Sequence, residues 1–171
     1  KIRDATYGHR LVDTERGASL MLQSNATTAN ISTPTGITSF NSDGFSLGNN
    51  VGYNQNTNTF VAWTFRKAPK FFDVVTYTGD GVAGRTVAHD LGQDVGMIIV
   101  KRTNATGGWA VYHQANTAAP ETDYLSINLT NATADDATYW NDTAPTDSVF
   151  TVGTNAAVNA SGGTYVAYIF A

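Results

Sequence analysis

The chain repeats part of itself. Residues 45–65 align without a gap on residues 150–170, at a constant offset of 105 residues, and eight of the twenty-one aligned pairs are identical. A repeat at a fixed period predicts tandem units, here of the commonest domain size, an architecture more typical of building and binding than of catalysis. The identical pairs are Phe45/Phe150, Gly48/Gly153, Asn50/Asn155, Asn54/Asn159, Thr59/Thr164, Val61/Val166, Ala62/Ala167 and Phe65/Phe170.

The repeat also predicts where the units begin and end. The stretch from Phe71 to Arg102 has no counterpart before Lys1. We therefore expect residues 1–65 to be the C-terminal part of a first unit, residues 66–70 a short linker, and residues 71–171 a complete second unit. A chain that starts on Lys1 rather than Met is, in this interpretation, part of a longer polypeptide.

Composition indicates an all-β protein. Only 14% of the residues are charged, and Val, Ile, Phe, Tyr and Trp occur in short runs between polar, glycine-containing turns. This pattern is typical of an all-β protein with many polar turns. We expect an antiparallel β-sandwich of the jelly-roll or concanavalin-like kind, in tandem units of about 105 residues.

Several classes of function are disfavoured by the same composition. A net charge of -4 gives no basic surface to follow phosphates, so we expect no nucleic-acid partner. No run of apolar residues is long enough for a transmembrane helix, so we expect no membrane insertion. The sequence has no cysteine, which excludes disulfides and thiolate metal sites.

Short β-type runs bounded by turn residues predict seven strands in the second unit. These are 72–78, 85–91, 97–102, 109–113, 124–129, 149–152 and 164–170. The turn at Asn159–Gly163 is expected to close a hairpin between Val152 and Tyr165.

The closing segment of each unit is apolar at nearly every position. Residues 60–65 read Phe-Val-Ala-Trp-Thr-Phe, and residues 165–170 read Tyr-Val-Ala-Tyr-Ile-Phe. Strands that are apolar on both faces are buried in the middle of a sheet, so both segments are predicted to be central strands. Trp63 is accordingly predicted to lie in the core.

Catalytic and metal-binding patterns are weak. His9, His89 and His113 lack a metal-type partner at short spacing, and no nucleophile elbow, phosphate loop or zinc-binding pair occurs. The oxygen-rich runs Asn41–Gly44 and Asp135–Asp136 are compatible with a structural calcium ion, but ordinary turns have the same residues. We therefore expect no catalytic residues, no metal and no cofactor.

Three aromatic residues in polar surroundings are candidates for stacking on sugar rings. They are Trp109, Tyr112 and Trp140. The alternative interpretation is that these side chains form a hydrophobic cap on the sandwich.

Eight strings of the sequence form a recognisable set and together cover nearly the whole chain. They are 9–17, 41–48 (Asn-Ser-Asp-Gly-Phe-Ser-Leu-Gly), 60–69, 71–79, 85–92 (Arg-Thr-Val-Ala-His-Asp-Leu-Gly), 97–102, 140–146 and 158–168. These strings resemble a repeated domain of large structural proteins from tailed bacteriophages, notably marine and cyanobacterial ones.

The resemblance implies an all-β virion component, of the tail-fibre or tail-associated kind that often stands beside concanavalin-like lectin domains. It brings no catalytic residues. We expect a non-enzymatic structural protein of a tail fibre, spike or surface appendage, located in the virion, bound to other virion subunits as a homo-oligomer and contributing to host attachment. The alternatives are a carbohydrate-binding module for host surface glycans and a fragment of a polysaccharide depolymerase acting through an Asp pair.

Overall fold

The computed structural model describes residues 1–171. Antiparallel strands dominate it and its three helices have four residues each, which confirms the all-β prediction. The strands are β1 Arg10–Leu11, β2 Leu20–Gln23, β3 Ile31–Ser32, β4 Ile37–Asn41, β5 Gly44–Leu47, β6 Phe72–Thr78, β7 Arg85–Ala88, β8 Met97–Arg102, β9 Trp109–His113, β10 Asp123–Ser126, β11 Ala134–Asp135, β12 Val149–Val152 and β13 Thr164–Phe170. The helices are α1 Val51–Asn54, α2 Ala137–Trp140 and α3 Ala156–Asn159.

A six-stranded antiparallel sheet is the centre of the molecule. Its strand order is β11-β10-β9-β8-β13-β6, so β13 lies between β8 and β6. Five strands of the chain, β6, β8, β9, β12 and β13, have the bounds that the sequence predicts. The predicted strands 85–91 and 124–129 are shorter in the structure, where they end at Ala88 and Ser126.

One face of the six-stranded sheet carries the larger core. Alternate residues of β8, β9 and β13 point to this face because side chains alternate along a strand. The two-stranded sheet β7–β12 and helices α2 and α3 cover it. The buried side chains of this cluster include Ile98, Val100, Tyr112, Trp140, Phe150, Val152, Val158, Tyr165 and Ile169.

The opposite face is covered by the first part of the chain. Val166 and Tyr168 of β13 and Trp109 of β9 form a second buried cluster here, and Leu22 of β2 completes it. Leu22 belongs to the three-stranded sheet β1–β2–β3. The two stretches assigned by the sequence to separate units therefore share a core, while the unit boundaries themselves stay a prediction.

Local geometry recurs at the offset of the sequence repeat. The side-chain oxygen of Asn50 caps α1 by accepting from the Gly52 N–H at 3.0 Å, and that of Asn155 caps α3 by accepting from Ala157 at 2.9 Å. Such caps satisfy a backbone donor that the first helical turn leaves free. This explains why asparagine occurs at both positions.

The two identical glycines before these caps also have a steric reason. A Cβ atom would lie 2.4 Å from the Thr35 carbonyl oxygen at Gly48, and 2.3 Å from the Thr138 carbonyl oxygen at Gly153. Both distances are far below van der Waals contact, so only glycine fits.

Two predictions for this region are wrong. Residues 159–163 do not close a hairpin, because β12 pairs with β7 in a separate sheet while β13 joins the six-stranded sheet, and α3 lies between them. Residues 60–65 do not form a central strand: only Phe60 takes part in a bridge, with Ile2, and Trp63 is 82% exposed. In the structure no strands flank the rest of this segment.

Candidate functional site

The three aromatic residues proposed for sugar stacking are buried. Trp109, Tyr112 and Trp140 are 0%, 4% and 2% exposed. The prediction that they are open to a ligand is therefore wrong, and they pack as the hydrophobic alternative has it. The reason is that both faces of β9 are covered, so Trp109 and Tyr112 meet different clusters, while α2 turns Trp140 towards the core.

Trp109 instead joins the sheet to the first part of the chain. Its indole N–H donates to the carbonyl oxygens of Gln23 at 3.2 Å and Ala26 at 3.0 Å. Beside it the side chain of Lys101 is fully buried, with its ammonium group 6.0 Å from the indole ring centroid. The ammonium donates to the carbonyl oxygens of Arg102 at 2.7 Å and Thr27 at 3.3 Å.

Burial lowers the pKa of Lys101 to about 8, and the nearby charges of Arg102 and Arg16 act in the same direction. No carboxylate is paired with this ammonium; its hydrogen-bond acceptors are carbonyl oxygens. Its contact with the Thr27 carbonyl therefore ties the first part of the chain to the sheet.

A buried polar cluster around Tyr168 is a second contact between the first part of the chain and the six-stranded sheet. We call this contact, together with the one around Trp109, the seam. Arg16 lies beside Asp13, with its Nε donating to Asp13 Oδ2 at 2.7 Å, and its Nη2 donates to the Tyr168 hydroxyl at 3.1 Å. That hydroxyl in turn donates to Asp13 Oδ2 at 2.7 Å. Burial raises the pKa of Tyr168 well above its ordinary value, so the hydroxyl stays a donor at neutral pH.

Sequence reasoning missed this cluster. The only signal for it is that Asp13 and Arg16 are three residues apart in a chain with few charges. Their partner Tyr168 lies more than 150 residues away, a separation that no local pattern reports.

The predicted linker, residues 66–70, is bound to the rest of the structure through Lys67 and Lys70. Lys67 Nζ lies 2.9 Å from Oδ1 of Asp73, a carboxylate whose side chain is 1% exposed. Burial alone would raise the pKa of Asp73, but hydrogen bonds from the Asp90 N–H and the Lys67 ammonium hold this pKa below its usual value. The backbone N–H of Lys70 also donates to the Leu91 carbonyl. Residues 67–70 are thus fixed against Asp73 and Leu91.

The acidic and imidazole side chains do not converge. No three His, Cys, Asp or Glu side chains are grouped so that they could hold a metal ion. Asn41 and Gly44 face each other across the turn between β4 and β5, and Asp136 caps α2 by accepting from the Thr138 N–H at 2.9 Å. Both oxygen-rich runs therefore serve local turns and caps.

The most exposed apolar feature is residues 60–65, which we call the open segment. Val61, Trp63 and Phe65 are 41%, 82% and 49% exposed. Backbone groups from Ala62 to Phe65 form no hydrogen bond within the protein. Apolar side chains and unpaired backbone donors in one segment are what a sheet neighbour would cover, so this segment is the candidate interaction site.

Aromatic contacts hold the C-terminal end of the open segment in place. The ring of Phe65 lies 5.6 Å from that of Phe170, 5.7 Å from Phe72 and 6.4 Å from Phe71. These contacts hold one end of the segment beside the edge of the six-stranded sheet, whereas Trp63 is exposed to solvent.

No helix in the structure has the length and apolar character needed to cross a membrane. Among family models, one described as Domain of unknown function (DUF7483) matches residues 1–171. No curated protein and no solved structure matches the chain.

Proposed function

The chain belongs to the DUF7483 family of domains, and we propose that it is a non-enzymatic structural component of a tailed-bacteriophage virion. In this proposal it forms part of a tail fibre, spike or other surface appendage. It assembles there with other virion subunits as a homo-oligomer, and it contributes to host attachment by building the appendage.

The observation that carries the proposal is the seam between the two parts of the chain. Leu22 fills the apolar face of the six-stranded sheet, and Arg16 and Asp13 bind the Tyr168 hydroxyl beneath it. Successive stretches of the polypeptide are thus locked to each other through a buried core rather than through a flexible tether. A stiff, extended appendage needs such joints between its units.

The recurrence at the 105-residue offset supports the tandem part of the proposal. Asn54 Nδ2 donates to the Gly48 carbonyl at 3.0 Å, and Asn159 Nδ2 donates to the Gly153 carbonyl at 2.8 Å. Together with the matching caps at Asn50 and Asn155, this pattern is what two copies of one β-sandwich unit would show. The larger core between the six-stranded sheet and β7–β12 would be the interior of that sandwich.

Sheet edges support assembly. Strand β6 ends the six-stranded sheet on one side, where Ala68 bridges Phe72 but no further strand pairs, and β11 ends it on the other. Exposed edges are sites at which other chains pair, and proteins of symmetric assemblies cover them with neighbouring subunits. Carbohydrate binding gains no such support, because Trp109, Tyr112 and Trp140 are not accessible.

The test is the location of the protein in purified particles of the phage that encodes it. We expect quantitative mass spectrometry to find its peptides in gradient-purified virions at a copy number that fits a symmetric appendage. Antibodies raised against residues 1–171 should label that appendage in electron micrographs. Peptides present in infected-cell lysate but absent from washed virions would overturn the proposal, and so would depolymerisation of host polysaccharide by the purified chain.

A further inference from the structure

The open segment has the sequence of a central strand without the neighbours of one. Its counterpart at the 105-residue offset is residues 165–170 of β13, which pair with β6 on one edge and β8 on the other. The contrast in burial is large: Tyr168 is 7% exposed, whereas Trp63 at the same repeat position is 82% exposed. The difference lies in the flanking strands, since the two sequences are nearly equivalent in apolar character.

Residues 1–3 already pair with the start of the open segment as a neighbouring strand would. Ile2 bridges Phe60 in the antiparallel sense, and the Arg3 N–H donates to the Thr59 carbonyl at 2.9 Å. In β8–β13 the same places are taken by the Arg102–Tyr165 pair and by the Thr103 N–H, which donates to the Thr164 carbonyl at 2.7 Å.

The register of the two ladders is therefore identical. The N-terminal ammonium of Lys1 also donates to the Val61 carbonyl at 2.9 Å, and the Val61 N–H donates to the Lys1 carbonyl at 3.0 Å, at the place where Lys101 pairs with Val166. Residues 1–3 thus stand where the last residues of a β8-type strand would stand. Beyond Val61 the ladder stops, and the backbone from Ala62 to Phe65 is unpaired.

The chemistry of a fitting partner follows from the second unit. Beside β13, the β8 strand presents Ile98 and Val100 to one face, and β6 presents Phe72 and Val74 to the other. Both strands run antiparallel to β13. A partner for the open segment must supply two such apolar antiparallel strands, one on each edge.

We propose that the open segment is the central strand of a second sheet, and that the front half of another unit of this family completes it with a β6-type strand and a β8-type strand. The proposal rests on the tandem array proposed above, and it extends to the open segment what the structure shows for β13: a closing strand is held between a β6-type strand and a β8-type strand. Pairing would cover Trp63 and satisfy the free backbone groups of residues 62–65.

The test is a chain that carries a second copy of its own residues 71–100 fused directly before Lys1. The junction is chosen because Lys1 occupies the register position of Lys101. Trp63 is the reporter, since the other two tryptophans are buried already, at 0% and 2% exposure. The Trp63→Phe variant of each chain supplies the spectrum to subtract.

We expect the fusion to shift Trp63 emission to shorter wavelength and to reduce its quenching by acrylamide several-fold. Amide exchange at residues 62–65 should slow by about 100-fold or more, because unprotected backbone becomes part of a sheet interior. The control fusion replaces the added copies of Ile98 and Val100 by Asp, and it should leave Trp63 and these amides as accessible as in the 171-residue chain.

A folded fusion in which Trp63 keeps its quenching and residues 62–65 keep fast exchange would overturn the inference, as would equal protection by the Asp control. If the fusion aggregates, the peptide of residues 71–100 is titrated against the unmodified chain with the same readouts. Saturable protection of Trp63 then supports the proposal, and its absence at millimolar peptide overturns it. Both results are independent of whether the protein is found in virions, so the two proposals fail separately.

Discussion

Leu22→Ala is the sharpest test of the idea that the two parts of the chain form one cooperative structure. Leu22 is fully buried, and it belongs to the first stretch by sequence but to the sheet cluster of the second by contact. If the stretches were independent units joined by a linker, truncating this side chain would affect the first stretch alone. If they share a core, the whole chain should lose stability.

The size of the effect follows from burial. Replacing a fully buried leucine by alanine removes apolar contact and leaves a cavity, and costs about 2–5 kcal/mol. For a chain of this length, a central value of about 3 kcal/mol corresponds to a fall in melting temperature of roughly 6–12 °C. Leu47 is the control, since its side chain is 40% exposed and Leu47→Ala should cost less than about 1 kcal/mol.

The assay is guanidinium unfolding followed both by far-ultraviolet circular dichroism and by tryptophan fluorescence. The two signals of Leu22→Ala should move together to a lower midpoint with an unchanged slope. The reasoning is refuted if the Leu22 variant matches the Leu47 control. It is also refuted if fluorescence from the buried tryptophans keeps its original midpoint while a separate, earlier transition appears.

Three further predictions follow from buried polar groups. Asn159→Ala should destabilise the protein by about 3 kcal/mol or more, because the buried Asn159 amide forms hydrogen bonds with Asp80, Val82 and Gly153. Asn54→Ala, at the exposed equivalent position, should cost only about 0.5–1 kcal/mol. Denaturation curves of the two variants measure the difference. Tyr168→Phe should lower the free energy of unfolding by about 1–3 kcal/mol, because Asp13 and Arg16 lose their hydrogen bonds to the hydroxyl. Tyr7→Phe, at an exposed ring, should change it by less than about 0.5 kcal/mol. Equal losses in the two variants would contradict this account of the seam. The pKa of Lys101 is lowered to about 8 by burial, so between pH 8 and 10 the unfolded chain binds more protons than the folded one and the free energy of unfolding should rise with pH. Above pH 10 the buried tyrosines, whose pKa values are raised, reverse the trend; Lys101→Met should abolish the rise, and a rise that persists in that variant would refute the assignment.

The strands of the six-stranded sheet could be predicted because their signals are local. β6, β8, β9 and β13 are rich in apolar and β-branched residues, each borders a glycine, and the structure has them at the predicted bounds. The hairpin predicted at residues 159–163 is absent from the structure for a related reason. A glycine-containing turn between two strands predicts a hairpin, but the sequence does not show that β12 and β13 belong to different sheets.

The candidate site could be predicted only in part. The polar neighbours of Trp109 and Tyr112 in the sequence suggest exposure, yet burial depends on what covers each face of β9, and the cover of Trp109 comes from residues 22–26. The seam of Asp13, Arg16 and Tyr168 is equally non-local. Tertiary contacts of this kind leave no periodic signal in the residues that make them.

The open segment and residues 165–170 are equivalent in sequence but differ in burial and backbone pairing. Residues 60–65 and 165–170 carry the same apolar pattern, and strand propensity is a property of that pattern. Burial and backbone pairing depend instead on the neighbours, and only β13 has them on both edges. An apolar segment with unpaired backbone groups makes an isolated domain prone to aggregation, but in an assembling protein it can pair with a neighbouring strand. The identical register of the Ile2–Phe60 and Arg102–Tyr165 pairs favours the second interpretation, because a segment that was merely unfolded would have no reason to keep it.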